Sequence, residues 1–228
     1  MKAEPLTILF RDEHLVAVYK PPGLLVHRTQ IDAGERRFCI QILRDQIGQE
    51  VYPCHRLDKP TSGVLLFALT KEVLRTVNLA FSEGRVEKAY HAVARGWIDQ
   101  PGKVDYPLVP LERKEDAADP VAAQTAITIY TPLERYELNE PVGRYASARY
   151  SLIELLPQTG RTHQLRRHMA HLRHPIIGDT RHGDGVQNRF FRRQIGCHRL
   201  MLSAISLCLD HPVTGDLLRI ESAPDRSF

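Results

Sequence analysis

The stretch HRLDKPTSG, His55 to Gly63, sets an aspartate between an arginine and a lysine. Pro60, Ser62 and Gly63 then mark a turn. The apolar run VLLFAL, residues 64–69, follows at once and reads as a buried strand. A lone aspartate in a turn usually caps its own backbone. Two features argue for chemistry here. Arg56 and Lys59 bracket Asp58 and favour its ionised form if they face it. The turn also feeds a strand, which gives a reactive side chain a rigid base. An ionised carboxylate can act on a sugar ring as a nucleophile or a base.

Outward from that turn the chain reads as α+β. On its N-terminal side, TILF and LVAVY flank Asp12-Glu13-His14 and suggest two strands joined by a tight turn. The second stops at KPPG, residues 20–23, because proline cannot donate to a ladder. On the C-terminal side, residues 71–83 form a helical pattern. Val73, Val77 and Phe81 recur every four residues, and Gly84 sits where a C-terminal cap belongs. Residues 86–94, 125–131, 148–156 and 199–209 are strand candidates, the middle two rich in β-branched and aromatic side chains. Residues 162–173 carry Leu165, Met169 and Leu172 on one helical stripe, with Thr162 as N-cap and His174-Pro175 as stop. HPVTGD, residues 211–216, predicts a hairpin turn into residues 217–220. Residues 111–120 are polar and irregular and suggest a mobile surface insertion. No linker divides the chain, so residues 1–228 are expected to form one domain.

Composition narrows the class. The 228 residues are 43% hydrophobic and 25% charged, enough for a core without staples. No apolar run approaches the roughly 20 residues of a membrane span, and the first residues lack a secretory pattern. The four cysteines form no CxxC pair and read as free thiols in a reducing compartment, hence the cytoplasm. Net charge is only +4, yet residues 161–199 hold nine arginines and six histidines against two acids. A lone charge run is usually a solvated face. Arginine in place of lysine shifts the balance toward phosphate, whose geometry suits the planar fork.

Other chemistries fit less well. His168, His171 and His174 lie three apart, but two such steps drift about 120° around a helix and no glutamate or cysteine joins them. A metal site is not expected. GDTRHGDG, residues 178–185, lacks the lysine and the following helix of a phosphate-binding loop. Ser62 stands in no GxSxG elbow and reads as a turn residue. A carboxylate glycosidase needs a second acid. Glu87 or Glu154 could serve on paper, but a basic surface fits RNA better than a neutral sugar.

Taken together, the motifs resemble one family. HRLDKPTSGVLLFALT is similar to the catalytic segment of RluA-type pseudouridine synthases. VYKPPGLLVH resembles the N-terminal strand and turn of that family, and VEKAYHAVARG its K-x-Y-x-A strand. PQTGRTHQLRRHMAHLRHPIIGD resembles its G-R-T-H-Q-[IL]-R helix, and RLMLSAISLCLDHPVTG its last strand and hairpin. These pieces span residues 8–221. ARGW, DYPLV and Gln187-Asn188-Arg189 resemble the branch that acts on uridine 65 of tRNA. Ribosomal RNA, another tRNA site or a non-catalytic RNA chaperone are the rival readings.

The resemblance implies an α+β pseudouridine-synthase fold, a mixed and mostly antiparallel central sheet flanked by helices and loops. With a first strand near residue 7, no N-terminal S4-like RNA-binding module is expected. By matched motif, Asp58 is the catalytic aspartate and Tyr90 stacks on the base. Arg166 pairs with that aspartate, and Arg56 helps hold the flipped conformation. Leu202, or its neighbour Met201, lies beneath the base. LSA at 202–204 replaces the commoner LHA. His55, Arg161 and His163 are the remaining candidate substrate contacts. The implied partner is tRNA, with no membrane, and a monomer is expected. The reaction breaks N1–C1′ and rejoins the same base through C5, so no cofactor or metal is implied. The target must leave its stack, which costs a few kcal/mol.

Overall fold

The computed structural model describes residues 4–27, 37–111, 122–224 and 228. Along the chain run β1 (Thr7–Arg11), β2 (Leu15–Lys20), α1 (Cys39–Ile47), β3 (Tyr52–Pro53), β4 (Ser62–Ala68), α2 (Lys71–Ser82) and β5 (Glu87–Arg95). There follow β6 (Gly102–Asp105), β7 (Ile127–Leu138), β8 (Ala148–Pro157), α3 (Gln164–His171), α4 (Gly185–Ile195), β9 (Leu202–Asp210) and β10 (Leu217–Glu221). Among the described residues, four helices beside mixed, mostly antiparallel strands make the class α+β, as expected. The chain, expected as one domain, divides into two compact units: Met1–Lys88 with Ser203–Phe228, and Ala89–Leu202.

In the first unit, β2 lies between β1 and β4, antiparallel to both. β4 runs parallel to β9 at Ser62↔Ser203 and Gly63↔Ala204. β10 pairs antiparallel with β9, and β3 pairs with the far end of β4. Every residue of β4 is buried. That explains why its sequence is a continuous apolar run and not an alternation. α2 turns Val73, Val77 and Ala80 onto Leu15, Val64 and Leu66. Burial of each such large aliphatic side chain contributes about 1.5–3 kcal/mol. Thr70 caps this helix by accepting from the Val73 N–H. Gly84 ends it in the left-handed region at φ 71°, and Arg85 N–H bonds back to the Ala80 carbonyl.

The second unit is an antiparallel set, β5–β8–β7–β6. Its strand β7 runs on to Leu138, well past the expected 131. Pro132 reads as a stop, but the register slips between Pro132 and Glu134, and such an irregularity tolerates the missing N–H.

Two expectations need correction. Thr162 does not cap α3: the helix begins at Gln164 behind His163, which is left-handed at φ 54°. The Gln164 side chain organises this entry itself. Its Oε1 accepts from the Thr159 hydroxyl and the Arg161 N–H, and its Nε2 donates to the Ile127 carbonyl. Second, a helix does follow GDTRHGDG. α4 starts at Gly185, and the Asp184 carboxylate accepts from Val186 and Gln187 N–H. The chain's own anion therefore sits at that helix start, a place a phosphate could otherwise take. The insertion expected at 111–120 lies, beyond Leu111, outside the described residues. Among the described residues no helix is long and apolar enough to cross a membrane.

Candidate active site

In the first unit the segment around Asp58 is a turn pinned from beneath. The Asp58 carbonyl accepts from Thr61 N–H at 3.0 Å. The next carbonyl, that of Lys59, accepts twice, from Gly23 N–H at 2.8 Å and from Lys20 Nζ at 3.1 Å. Lys20 is fully buried, and its ammonium also donates to the carbonyls of Pro21 and Leu24. Carbonyl dipoles thus solvate the buried cation, the compensation that burial of a charge demands. KPPG, which reads only as a strand stop, is the clamp that fixes the backbone next to Asp58. Leu57 is buried, Asp58 is half-buried and Arg56 is exposed.

His55 holds the other side of the turn. Its Nε2 accepts from the Leu66 N–H of β4 at 3.1 Å, which fixes the neutral ring with the proton on Nδ1. The ring packs on Phe81 of α2, with centroids 5.4 Å apart. Burial, with the positive Lys88 second, lowers its pKa from 6.5 to about 4. The geometry makes His55 a support for the turn.

A pH dependence follows. The fold prefers neutral His55, whereas the unfolded chain takes up its proton near 6.5. Stability from this group is full above pH 6.5, falls as the pH drops toward 4 and then levels off. The total is roughly 3 kcal/mol. His55→Gln keeps an acceptor for Leu66 without a titrating ring. Between pH 7.5 and 4.5 the variant should lose about 2 kcal/mol less than the parent chain, measured by urea midpoints. Equal losses would remove His55 from the account.

In the second unit Arg166 is buried on α3 and engaged by Asp179. Its Nε lies 2.7 Å from Asp179 Oδ2 and its Nη2 2.8 Å from Oδ1, with side chains 5% and 1% exposed. Burial alone would raise the Asp179 pKa. The Arg166 guanidinium and the N–H groups of His182 and Arg181 outweigh it and hold the carboxyl below its usual range. His163 Nδ1 meets His182 Nε2 at 2.9 Å, so one ring donates to the other. Asp179 was not among the candidates, although the GD pair was legible as a motif.

The remaining candidates come from several elements. Tyr90 is a half-buried residue of β5, opposite Leu155 of β8. Leu202, at the start of β9, is buried, as is Met201. Exposed Arg161 donates from Nε to the Thr125 carbonyl. The three histidines of α3 and its exit have separate tasks. His168 bonds Thr128 and the Tyr106 carbonyl, His171 stacks on Tyr106 at 3.8 Å, and His174 bonds the Arg95 carbonyl. Among the described residues no three His, Cys, Asp or Glu side chains gather as a metal site. Ser62 is buried, with its hydroxyl 3.0 Å from that of Ser203.

The sequence matches the RNA pseudouridylate synthase family model over residues 14–171. It is 51% identical over 226 residues to a tRNA pseudouridine synthase C of Vibrio parahaemolyticus, covering 98% of this chain and 92% of that one. It is 52% identical over 225 residues to the protein of that name in Vibrio cholerae, covering 96% and 91%. Among solved structures, human RNA pseudouridylate synthase domain containing 1 superposes with TM-score 0.73 at 28% identity, covering 97% of this chain and 84% of that one. The chain therefore belongs to the RluA-type RNA pseudouridylate synthase family of isomerases.

Proposed function

We propose that this protein converts a uridine of tRNA to pseudouridine, with uridine 65 as the target, in the cytoplasm and without a cofactor. The observation that carries the reading is near-full-length identity of about half to enzymes named for tRNA. The family match runs through both units, which supports residues 1–228 as one catalytic domain. Asp58 is assigned the attack on the nucleotide, on a backbone clamped by Lys20 and Gly23. Arg166 is assigned to keep that carboxylate ionised and aimed, and Tyr90 and Leu202 to sandwich the flipped uracil. Arg56 fills the space the base leaves. Arg161 and His163 belong to the arginine-rich stretch, which supplies phosphate contacts that set register. Attack at C1′, proton removal at C2′ and attack at C6 are the three chemical routes open to Asp58.

Tritium release from bulk unmodified tRNA labelled at uridine C5 tests this, since that hydrogen is lost only when the base rejoins through C5. Release is expected. Release from ribosomal RNA alone would move the substrate, and release from neither would leave a non-catalytic RNA-binding protein. Tyr90→Phe separates stacking from chemistry. The ring face is kept, so KM should stay within about threefold while kcat falls by about 100-fold, the usual size of a proton-transfer contribution. Unchanged kcat would show that the hydroxyl has no chemical task.

A further inference from the structure

Arg166 is held by the carboxylate of Asp179, and the backbone of Asp179 is itself held from another helix. Asp179 accepts four bonds. Arg166 supplies two, at 2.7 and 2.8 Å. The N–H groups of Arg181 and His182 supply two more to Oδ1, each at 2.9 Å. Four is about the acceptor capacity of a carboxylate, and the side chain is 1% exposed. Asp179 has neither room nor access to meet a substrate.

Its own backbone is bracketed from α4. The Gly178 N–H donates to Asn188 Oδ1, and Asn188 Nδ2 donates to the Asp179 carbonyl, both at 2.8 Å. One side-chain amide therefore grips both sides of the Gly178-Asp179 pair. Gly178 is required there: at φ +80° an added Cβ would fall 1.9 Å from the Arg199 carbonyl oxygen. The His163–His182 bond ties the same loop to the entry of α3.

We propose that Asp179 is a positioning residue for the pseudouridine reaction, acting through Arg166, and that Asn188 sets Asp179 in turn. The inference rests on the reading that Arg166 serves the reaction. A buried ion pair is a poor source of stability relative to apolar packing. What the two-pronged bond supplies is direction, because it fixes the plane of the guanidinium as a single contact cannot. Arg166 then meets its task already oriented, with no side-chain freedom left to lose.

The test is a double-mutant cycle on kcat and KM for tRNA, read by tritium release. Asp179→Asn keeps an oxygen for the loop amides but cannot accept both guanidinium donors. It should lower kcat by about 100-fold, the cost of a misplacement near 1 Å, with KM within about threefold. In an Arg166→Ala background the same change should have no further effect on kcat, since a residue that acts only through Arg166 has nothing left to act on. Additive losses would overturn the proposal, as would a single variant with unchanged kcat. Should Asp179→Asn fail to fold, Asn188→Ala leaves the ion pair's own atoms in place. It should cost about tenfold in kcat, again only when Arg166 is present, and unchanged kcat would overturn the proposal. An inactive parent enzyme would overturn the functional reading and this inference with it, whereas an active parent with additive losses overturns the inference alone.

Discussion

Asp58→Asn is expected to fold, to bind tRNA and to release C5 tritium at least about 10⁴-fold more slowly than the parent enzyme. Two different roles are open to an aspartate in a turn, and this substitution separates them. If the side chain served to cap its own backbone, asparagine would do as well, since both make that bond. If it attacks the nucleotide or removes a proton, the amide fails, being neither nucleophile nor base at neutral pH. The fold should tolerate the change because several bonds that hold the backbone of the turn do not use this carboxylate. Thr61 N–H meets the main-chain carbonyl of Asp58. Lys20 and Gly23 grip the carbonyl of Lys59, and His55 reaches the Leu66 N–H. The urea midpoint should therefore move by less than about 1 kcal/mol, and filter binding of tRNA should change little. Turnover above one hundredth of the parent rate would sink the assignment of Asp58.

How far this picture was legible in the sequence depended on whether a residue's surroundings were local. α2 was readable almost to the residue, because its apolar period, the Thr70 cap and Gly84 all lie within one short segment. β4 was readable because burial on both faces leaves a continuous apolar run. α4 was missed for the opposite reason. Its sequence, GVQNRFFRRQI, is dominated by arginine, and its buried residues are Phe191 and the polar Gln187. The buried Gln187 side chain accepts from the Tyr150 hydroxyl, a partner 37 positions away. Within the candidate site, Asp58 announced itself by its charged neighbours. Lys20 did not, since a lysine after a strand reads as solvent-facing until three carbonyls converge on it. Asp179 stayed hidden in the same way. Its partner Arg166 is 13 positions off, and no local pattern says that both are buried.

Gly63→Ala is expected to be the most damaging single change in the first unit, lowering stability by at least about 4 kcal/mol or preventing folding altogether. Gly63 closes the HRLDKPTSG stretch at φ +110°, outside the usual range of any residue with a Cβ. Strain of that kind costs on the order of 1–3 kcal/mol. The larger cost is steric. An added Cβ would lie 2.1 Å from the Ala204 carbonyl oxygen and 2.6 Å from its nitrogen. These atoms belong to the backbone of β9, so no side chain can swing aside to make room. The register Ser62↔Ser203 and Gly63↔Ala204 joins β4 to β9, and the buried Ser62–Ser203 hydroxyl bond lies one residue away. To admit a methyl group, β9 must move off β4 where the Asp58 turn enters the sheet. Gly215→Ala supplies the control. That glycine is also left-handed, at φ +77°, but an added Cβ would have nothing within 4 Å, so it should cost only about 1 kcal/mol. The difference between the two urea midpoints isolates the contact from the strain. If Gly63→Ala proved no worse than Gly215→Ala, the close approach of β9 would not be what requires glycine after Thr61-Ser62.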